Sequence, residues 1–186
     1  ERRPEEVEAE EQERMQFAAG QLRSYMRTPV NYYVAQLLTA RGLPAVVLGT
    51  GNQDEDGYLL YYCKAGDGVC DLQLIADLHK SEVYKVGALL GVPEHILKAK
   101  PSADLWPGQE DEKELGFSYD FVELYTEMLH RRIDERAVWL SSLTDDASRQ
   151  YLRLAHLVRT VHERNRHKLN CPLNLNVERF VLHPKL

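Results

Sequence analysis

Residues 45–52 read Ala-Val-Val-Leu-Gly-Thr-Gly-Asn, and this stretch decides the fold. Its first four residues form an unbroken apolar run rich in β-branched side chains, which predicts a buried parallel strand. Residues 49–52 then predict a polar, glycine-bearing loop at the carboxyl end of that strand. Because ligands bind at this end of the strands in open α/β sheets, we expect an α/β fold with a ligand site at the loop.

Helical patterns flank this strand on both sides. A run of glutamates predicts a mostly exposed helix over residues 5–17, and apolar side chains at helical spacing predict a core-facing helix from Pro29 to Gly42. Further helical patterns follow over residues 81–91 (N-cap Ser81), over residues 118–129, and over a long stretch capped by Asp145 or Asp146. We expect the residues after Asn170 to be extended or irregular.

Composition limits the class of protein. The 186 residues suffice for one domain with a core and are too few to argue for two, and 44% hydrophobic with 28% charged residues is typical of a soluble globular domain. The formal net charge of -6 argues against general nucleic-acid binding, which depends on many lysines and arginines. No apolar run approaches the roughly 20 residues of a membrane-spanning helix. We therefore expect neither nucleic acid nor a membrane as partner.

The cysteines and the first residue give two further expectations. Cys63, Cys70 and Cys171 are odd in number and lack the short pair spacing of a zinc or redox site. This suits a reducing compartment, and we expect a cytoplasmic location. The chain begins at Glu1 instead of methionine, and we expect a further segment upstream of it.

Candidate ligand-binding side chains lie in the loops of residues 49–120. Glu55 follows the predicted strand closely enough for its carboxylate to reach the mouth of the sheet, and such oxygen ligands suit magnesium. Asp54 and Asp56 flank it, and we interpret both as solvated. Lys80 precedes a helix N-terminus, where backbone N–H groups and the helix dipole favour anions, so it predicts a phosphate site.

Other residues in these loops allow two interpretations each. Lys64 and Asp67 lie across a glycine-bearing turn, where they either hold a substrate or form a surface ion pair worth about 0–1 kcal/mol. Ser102 either contacts a phosphate or acts as a turn residue. The basic cluster of residues 159–168 is by itself a solvated helix face or an anion site.

Taken together, residues 45–125 resemble the NAD synthetases. The resemblance is carried by six ordered segments. These are Gly-Thr-Gly-Asn (49–52) followed by Glu55, the Lys-x-Gly-Asp-Gly turn (64–68), Asp-Leu-x-Lys-x-Glu-Val-Tyr (77–84), Leu-Gly-Val-Pro (90–93), Pro-Ser-Ala-Asp-Leu-Trp (101–106) and Glu-Leu-Gly-Phe-Ser-Tyr-Asp (114–120). A His-Lys pair at residues 167–168 is similar to the closing segment of that family.

The resemblance implies a fold and an activity. The fold is a Rossmann-like sandwich of the adenine-nucleotide alpha-hydrolase type with a parallel sheet, here incomplete, and with a helical C-terminal half. Residues 1–186 would form a single domain, the C-terminal part of the synthetase. The activity is that of a carbon–nitrogen ligase, which amidates deamido-NAD to NAD through an adenylate and releases AMP and pyrophosphate. It implies Mg²⁺ as cofactor, ATP as co-substrate, ammonia or glutamine-derived nitrogen as donor, and a homodimer.

The resemblance also assigns residues by position. Glu55 would hold magnesium, and Lys80 and Glu55 would be catalytic. The ATP contacts would be Thr50, Lys80 and Ser102. The deamido-NAD contacts would be Lys64, Asp67, His167, Lys168 and Arg23.

Two departures from the family keep alternatives open. The Ser-Gly-Gly-x-Asp-Ser loop that binds pyrophosphate is absent, and the family's Arg-x-Arg-Met is matched only at residues 23–26, so that Arg23 or Arg27 would substitute. Our leading hypothesis is the C-terminal part of an NAD synthetase whose upstream segment carries the loop. The alternatives are a loop-deficient relative that only binds a dinucleotide or a partner, and a GMP synthetase-like amidotransferase.

Overall fold

The computed structural model describes residues 3–170, so the expectation for the residues after Asn170 lies outside the described part. The α-helices are α1 (Pro4–Ala40), α2 (Lys80–Leu89), α3 (Glu94–Leu97), α4 (Asp111–Leu115), α5 (Tyr119–His130), α6 (Ile133–Ser142) and α7 (Asp145–Asn165). A π-helix spans Gln53–Leu59, and a 3-10 turn at Arg166–Leu169 follows α7. None of the helices within residues 3–170 is both long enough and apolar enough to cross a membrane.

The predicted strand forms part of a small parallel sheet. Strand β1 (Leu48–Gly49) pairs in parallel with β2 (Leu72–Gln73), with Leu48 opposite Leu72. The expected full burial is wrong: Val47 is buried, but the side chain of Leu48 is 52% exposed. Within residues 3–170, β2 is the one strand that pairs with β1. The apolar residues Val46, Leu48 and Leu72 at this sheet remain more than half exposed in the described part of the chain.

Helix α1 is one continuous helix, where the sequence predicted two. It runs through Pro29 and ends before Gly42, whose φ of +82° is readily adopted by glycine. The expectation of a core-facing helix after Pro29 is wrong, because Tyr33 is 67% exposed and its apolar neighbours are exposed as well. Helical periodicity predicts that one face is apolar, but it does not say which element covers that face.

The apolar core lies between the π-helix, α5 and α7. Its buried side chains are Leu59, Leu115, Phe117, Tyr119, Val122, Tyr125 and Val158. At the end of α7, the Asn165 side chain donates a 3.1 Å hydrogen bond to the carbonyl of Leu59. The core therefore fixes the π-helix, which begins four residues after the end of β1, against the C-terminal helices.

The N-cap residues of α2, α5 and α7 can be compared with the three helix starts predicted from the sequence. Helix α5 confirms the prediction, since Ser118 is its N-cap and accepts a hydrogen bond from the backbone N–H of Phe121. Helix α7 is capped by Thr144 and not by Asp145 or Asp146, which lie in its first turn. Helix α2 begins at Lys80 with His79 as N-cap, and the hydroxyl of Ser81, the predicted cap, is buried without a partner among residues 3–170.

Candidate active site

Asn52 organises the turn that follows β1. Its side chain is buried, and its Oδ1 accepts hydrogen bonds of 3.0 Å from the backbone N–H groups of Asp54 and Glu55. An asparagine that caps the next residues in this way is a common start for a helical turn. The cap starts the π-helix directly at the carboxyl end of the sheet.

Asp54 is the buried anchor of this turn, and the interpretation of it as solvated is wrong. Its side chain has no exposed surface. Its Oδ1 accepts a 2.8 Å hydrogen bond from Nδ1 of His79, and its Oδ2 accepts a 2.7 Å bond from the backbone N–H of Lys80. The carboxylate thus occupies the N-terminus of α2, where the helix dipole favours negative charge, and joins α2 to the π-helix.

Glu55 and Lys80 form an ion pair next to this anchor. Their side chains are only 19% and 20% exposed, and the ammonium group of Lys80 lies 5.1 Å from the centre of the Tyr119 ring. Because one end of the pair is carried by the π-helix and the other by α2, Asp54 fixes their relative position. The two residues predicted as catalytic are therefore adjacent at the carboxyl end of β1.

Asp111 attaches the segment of Ser102 to the same region. Its Oδ2 accepts a hydrogen bond of 3.2 Å from the hydroxyl of Tyr119, and its Oδ1 accepts one of 3.3 Å from the backbone N–H of Ala103. Burial raises the pKa of the Asp111 carboxyl, and the hydrogen bond from Tyr119 opposes that rise. Tyr119 therefore contacts Lys80 through its ring and, through its hydroxyl and Asp111, the segment of residues 101–105.

A cavity of about 530 Å³ lies beside this region, a size in the range of small-molecule sites. Four of the five residues predicted to bind deamido-NAD line it, namely Lys64, Asp67, His167 and Lys168, together with Tyr25, Arg27, Trp106, Glu114 and Arg164. Basic side chains outnumber carboxylates in this lining. The cavity thus suits a ligand with negative charge and a flat ring, the latter against Trp106 or Tyr25.

The turn of residues 63–68 holds Asp67 against α1. Its Oδ1 accepts hydrogen bonds from the Ser24 hydroxyl (2.7 Å) and from the backbone N–H of Cys63 (3.1 Å), while the Lys64 ammonium binds the carbonyl of Asn170. Lys64 and Asp67 do not form the surface ion pair that was one of the two interpretations, as far as residues 3–170 show.

Gly66 is required where this turn touches α1. A Cβ at this position would lie 2.8 Å from the backbone carbonyl of Ser24, so Gly66→Ala should destabilise the protein by about 1–3 kcal/mol. Gly57→Ala is the matched control, because its nearest neighbour would be 3.7 Å away, and we expect a change within about 0.5 kcal/mol. Urea unfolding of the three proteins measures both values. Equal stability of the two variants would show that the turn does not pack this closely.

Lys168 and His167 reach the cavity from the end of α7. The Lys168 ammonium donates to the carbonyls of Leu60 (2.8 Å) and Tyr62 (2.6 Å), and burial lowers its pKa. Leu60 has a φ of +54°, so Lys168 stabilises a strained turn in addition to lining the cavity. His167 is exposed, and its Nδ1–H donates to the carbonyl of Arg164.

The remaining predicted residues lie outside the cavity lining. Thr50 is exposed in the loop after β1, and the hydroxyl of Ser102 accepts a 3.0 Å hydrogen bond from the backbone N–H of Asp104, as a turn residue does. Arg23 donates a 2.5 Å hydrogen bond to the carbonyl of Leu105, whereas Arg27 lines the cavity. Of the two arginines suggested by the sequence, Arg27 has the better position for a ligand.

Asp56 interacts electrostatically with the Glu55–Lys80 pair and with Asp67 and Lys168 of the cavity lining, and the interpretation of it as solvated is wrong. Burial, and next the negative charges of Asp67 and Glu55, raise its pKa to about 7. Its carboxylate packs against Gly51, where a Cβ would come within 1.7 Å of Oδ2. Glycine at position 51 thus makes room for an acid that interacts with both parts of the site.

This raised pKa predicts a pH-dependent stability in metal-free buffer with a chelator. The folded pKa of about 7 exceeds the ordinary aspartate value of about 3.9, so the ionised form destabilises the fold. Wild-type stability should fall as pH rises through 7. Asp56→Asn should then be more stable than wild type by about 1–2 kcal/mol at pH 8, because solvent reduces the roughly 4 kcal/mol of three pKa units, and by about a third of that amount at pH 5. Thermal unfolding at both pH values tests this, with the exposed Asp77→Asn as control; a constant difference would contradict it.

Comparison with known proteins decides the family. The family model of NAD synthase matches residues 4–172. The chain belongs to the NAD synthase family. The resemblance seen in its sequence segments is therefore confirmed, and the match extends over nearly the whole chain.

Individual members of the NAD synthase family agree with this assignment. The NH(3)-dependent NAD(+) synthetase of Archaeoglobus fulgidus is 38% identical over 159 residues, which cover 84% of this chain and 55% of that protein. The protein of the same name from Aeropyrum pernix is 32% identical over 177 residues, which cover 95% of this chain and 58% of that protein. The chain spans about half the length of the curated relatives it matches.

A solved structure supports the same fold within the NAD synthase family. The NMN synthetase from Francisella tularensis superposes with a TM-score of 0.65 at 28% identity, over 87% of this chain and 57% of that one. This confirms the α/β fold class with a small parallel sheet and a helical C-terminal half.

Sequence reasoning missed several residues of the candidate site. Asp54 and Asp56 were assigned to solvent, and Tyr119, Asp111 and Trp106 received no role. The asparagine cap at Asn52 was a local signal for the turn, since an Asn preceding Asp and Glu favours a helix start. No local signal identifies Tyr119 as the contact of Lys80, because that contact joins residues 39 positions apart.

Proposed function

We propose that this chain is part of a ligase that converts deamido-NAD to NAD at the expense of ATP. The observation that carries the proposal is the Glu55–Lys80 pair, held by Asp54 at the carboxyl end of β1 beside a basic cavity. A loop-deficient binding relative has less need for a largely enclosed acid–base pair at this place. The names of the curated relatives support the same reaction.

The reaction has two steps that these residues suit. An oxygen of the nicotinate carboxylate attacks the α-phosphorus of ATP and pyrophosphate leaves; ammonia then attacks the acyl carbon and AMP leaves. Negative charge builds on the phosphates in the first step, so a fixed cation stabilises the transition state. We assign that role to Lys80, whose position is fixed by the backbone bond to Asp54 and by the Tyr119 ring.

We keep the remaining substrate contacts as the resemblance assigns them. Thr50 and Ser102 contact ATP at the carboxyl end of β1. The deamido-NAD contacts are Lys64, Asp67, His167, Lys168 and Arg23, with Arg27 added because it lines the cavity. Asp67 is presented by its bonds to Ser24 and Cys63, so its second oxygen remains available to a hydroxyl of the substrate.

Glu55 suits a magnesium ion, because Mg²⁺ is commonly held by one or two carboxylates together with waters and substrate phosphates. No three potential metal-ligating side chains converge within residues 3–170, so Glu55 would need such additional ligands. When bound, magnesium supplies positive charge to the transferred and leaving phosphates.

We further propose that residues 1–186 form one domain, the C-terminal part of a Rossmann-like sandwich. The segment with the Ser-Gly-Gly-x-Asp-Ser loop would precede residue 1. Two observations support this: the relatives are about twice as long as their matched parts, and the apolar side chains of Leu48 and Leu72 at the sheet are half exposed. The two cysteines of residues 3–170 are both free, which agrees with a reducing, cytoplasmic environment.

A second copy of the chain is our proposed occupant of the exposed face of α1. This face carries Met26, Val30, Tyr33, Val34, Leu37 and Leu38, all more than one third exposed. Apolar stripes of this kind are usually buried in an interface. Light scattering should give a dimer for the full-length protein and a monomer for Tyr33→Asp, whereas the exposed Arg153→Asp control on α7 should remain dimeric. Two dimeric variants would refute this interface.

The amidation assay tests the proposed function. Full-length protein is incubated with ATP, Mg²⁺ and ammonium, with deamido-NAD or nicotinate mononucleotide as acceptor. We expect NAD and AMP in equal amounts, with deamido-NAD preferred and glutamine unable to replace ammonium. Binding without AMP release would favour the loop-deficient alternative. A preference for nicotinate mononucleotide would instead indicate an NMN synthetase, the activity named for the Francisella protein.

A further inference from the structure

A second cavity of about 520 Å³ lies between α5, α6 and α7 and shares no lining residue with the candidate active site. Its most buried lining residues are Tyr125 and Met128, which form the floor. Trp139 of α6 and Tyr151 of α7 meet edge to face at 5.0 Å between ring centres and form an aromatic wall. The cavity has the size and the mainly apolar lining of a small-ligand site.

The charges around this cavity have one sign. Arg136, His156 and Arg159 line it, and no aspartate or glutamate does. This is unusual in a chain whose formal net charge is -6. Neither arginine makes a side-chain hydrogen bond or ion pair with another residue in the range 3–170, unlike Arg132, Arg149 and Arg166. The cavity therefore presents two guanidinium groups without an acidic partner.

Arg136 contributes the more specific feature. Its Nε is buried and has no hydrogen-bond partner among the described residues. A buried donor left unpaired is costly, and a guanidinium offers adjacent N–H groups in a planar arrangement that matches the two oxygens of a carboxylate. A carboxylate bound to the same guanidinium at the cavity would offset part of this cost.

We propose that this cavity binds a small carboxylate with an apolar body. The carboxylate is held by Arg136, with Arg159 adding positive charge at the rim, and the body lies against Trp139, Tyr151 and Met128. The anionic end matches the two guanidinium groups in the lining, and the apolar body matches the aromatic and aliphatic side chains. This site is independent of the amidation proposed above.

The test uses 4-phenylbutyrate as probe and its neutral analogue 4-phenylbutanol. In full-length protein carrying Trp106→Phe, Trp139 is the remaining tryptophan of residues 1–186, so its fluorescence reports the cavity once any tryptophan outside this range has been replaced by phenylalanine. We expect a saturable change with 4-phenylbutyrate, half complete below about 1 mM, as is ordinary for a ligand of about a dozen heavy atoms. The alcohol should bind at least about tenfold more weakly, because it cannot pair with the guanidinium.

Variants separate this cavity from the candidate active site. Arg136→Gln should weaken 4-phenylbutyrate binding at least about tenfold, and Arg159→Gln should weaken it by a smaller factor. Arg153→Gln, an exposed arginine on α7 outside the lining, and Lys168→Ala, in the other cavity, should leave affinity within about twofold. Circular dichroism checks that each variant is folded. No saturable change in the parent protein, equal binding of the alcohol, or unchanged affinity in Arg136→Gln would each overturn the proposal.

Discussion

Replacing Lys80 with alanine in the full-length protein should lower the rate of AMP formation by about 100–1000-fold, the usual effect of removing one preorganised group that stabilises transition-state charge. The ammonium group has a fixed position, paired with Glu55 and above the Tyr119 ring, so water or a mobile side chain cannot replace it without reorganisation. The fold should be retained, since α2 keeps its backbone bond to Asp54, which uses the main-chain N–H of residue 80.

The matched control is Lys85→Ala, an exposed lysine on the same helix that forms no ion pair within residues 3–170. It should retain the wild-type rate. Initial rates of AMP release and thermal unfolding are measured for all three proteins. A wild-type rate of AMP release in Lys80→Ala would show that Lys80 has no part in the reaction. Loss of a cooperative thermal unfolding transition in this variant would show that Lys80 is needed for the fold.

Asp54→Ala should cause the largest loss of stability among the variants considered. It leaves the ring N–H of His79 and the backbone N–H of Lys80 without their acceptor in a buried place, and each such group costs about 1–3 kcal/mol. We expect a decrease of about 3 kcal/mol in the free energy of unfolding, measured by urea denaturation. Asp54→Asn should lose less, because its amide oxygen can still accept one of the two bonds.

Asp77→Ala is the control for this loss, because Asp77 is exposed and forms no ion pair in the described part of the chain. Its stability should stay within about 0.5 kcal/mol of wild type. A decrease below about 1 kcal/mol for Asp54→Ala would mean that the carboxylate does not join α2 to the π-helix. Glu55 and Lys80 would then require another explanation for their adjacency.

The sequence predicted those parts of the fold that local patterns specify. The helix predicted from Ser118 and the parallel strand predicted at residues 45–48 follow from side-chain preferences within a few residues. The helix is present, and the strand is present at Leu48–Gly49. The burial of Leu48 and of the α1 stripe was predicted wrongly, because burial depends on which element packs against a face. Periodicity contains no information about that partner.

The site shows the same division between local and long-range information. Glu55 and Lys80 were predicted as site residues because each has a recognisable place, one after a strand and the other at a helix start, and the structure brings the two side chains together. Asp54 was missed because its neighbours along the chain are polar and its partners, His79 and Lys80, lie 25 and 26 residues away. A buried carboxylate and a solvated one look alike in sequence until the elements that enclose it are known.

The fate of the carboxylate oxygen tests the central claim most directly. Full-length protein is incubated with ATP, Mg²⁺, ammonium and deamido-NAD that carries ¹⁸O at both oxygens of its nicotinate carboxylate. The ¹⁸O content of each product is then measured by mass spectrometry. If the carboxylate attacks the α-phosphorus, AMP must carry one ¹⁸O, NAD must keep the other in its amide, and pyrophosphate must be unlabelled. Unlabelled AMP, or label in inorganic phosphate with formation of ADP, would contradict an acyl adenylate at this site.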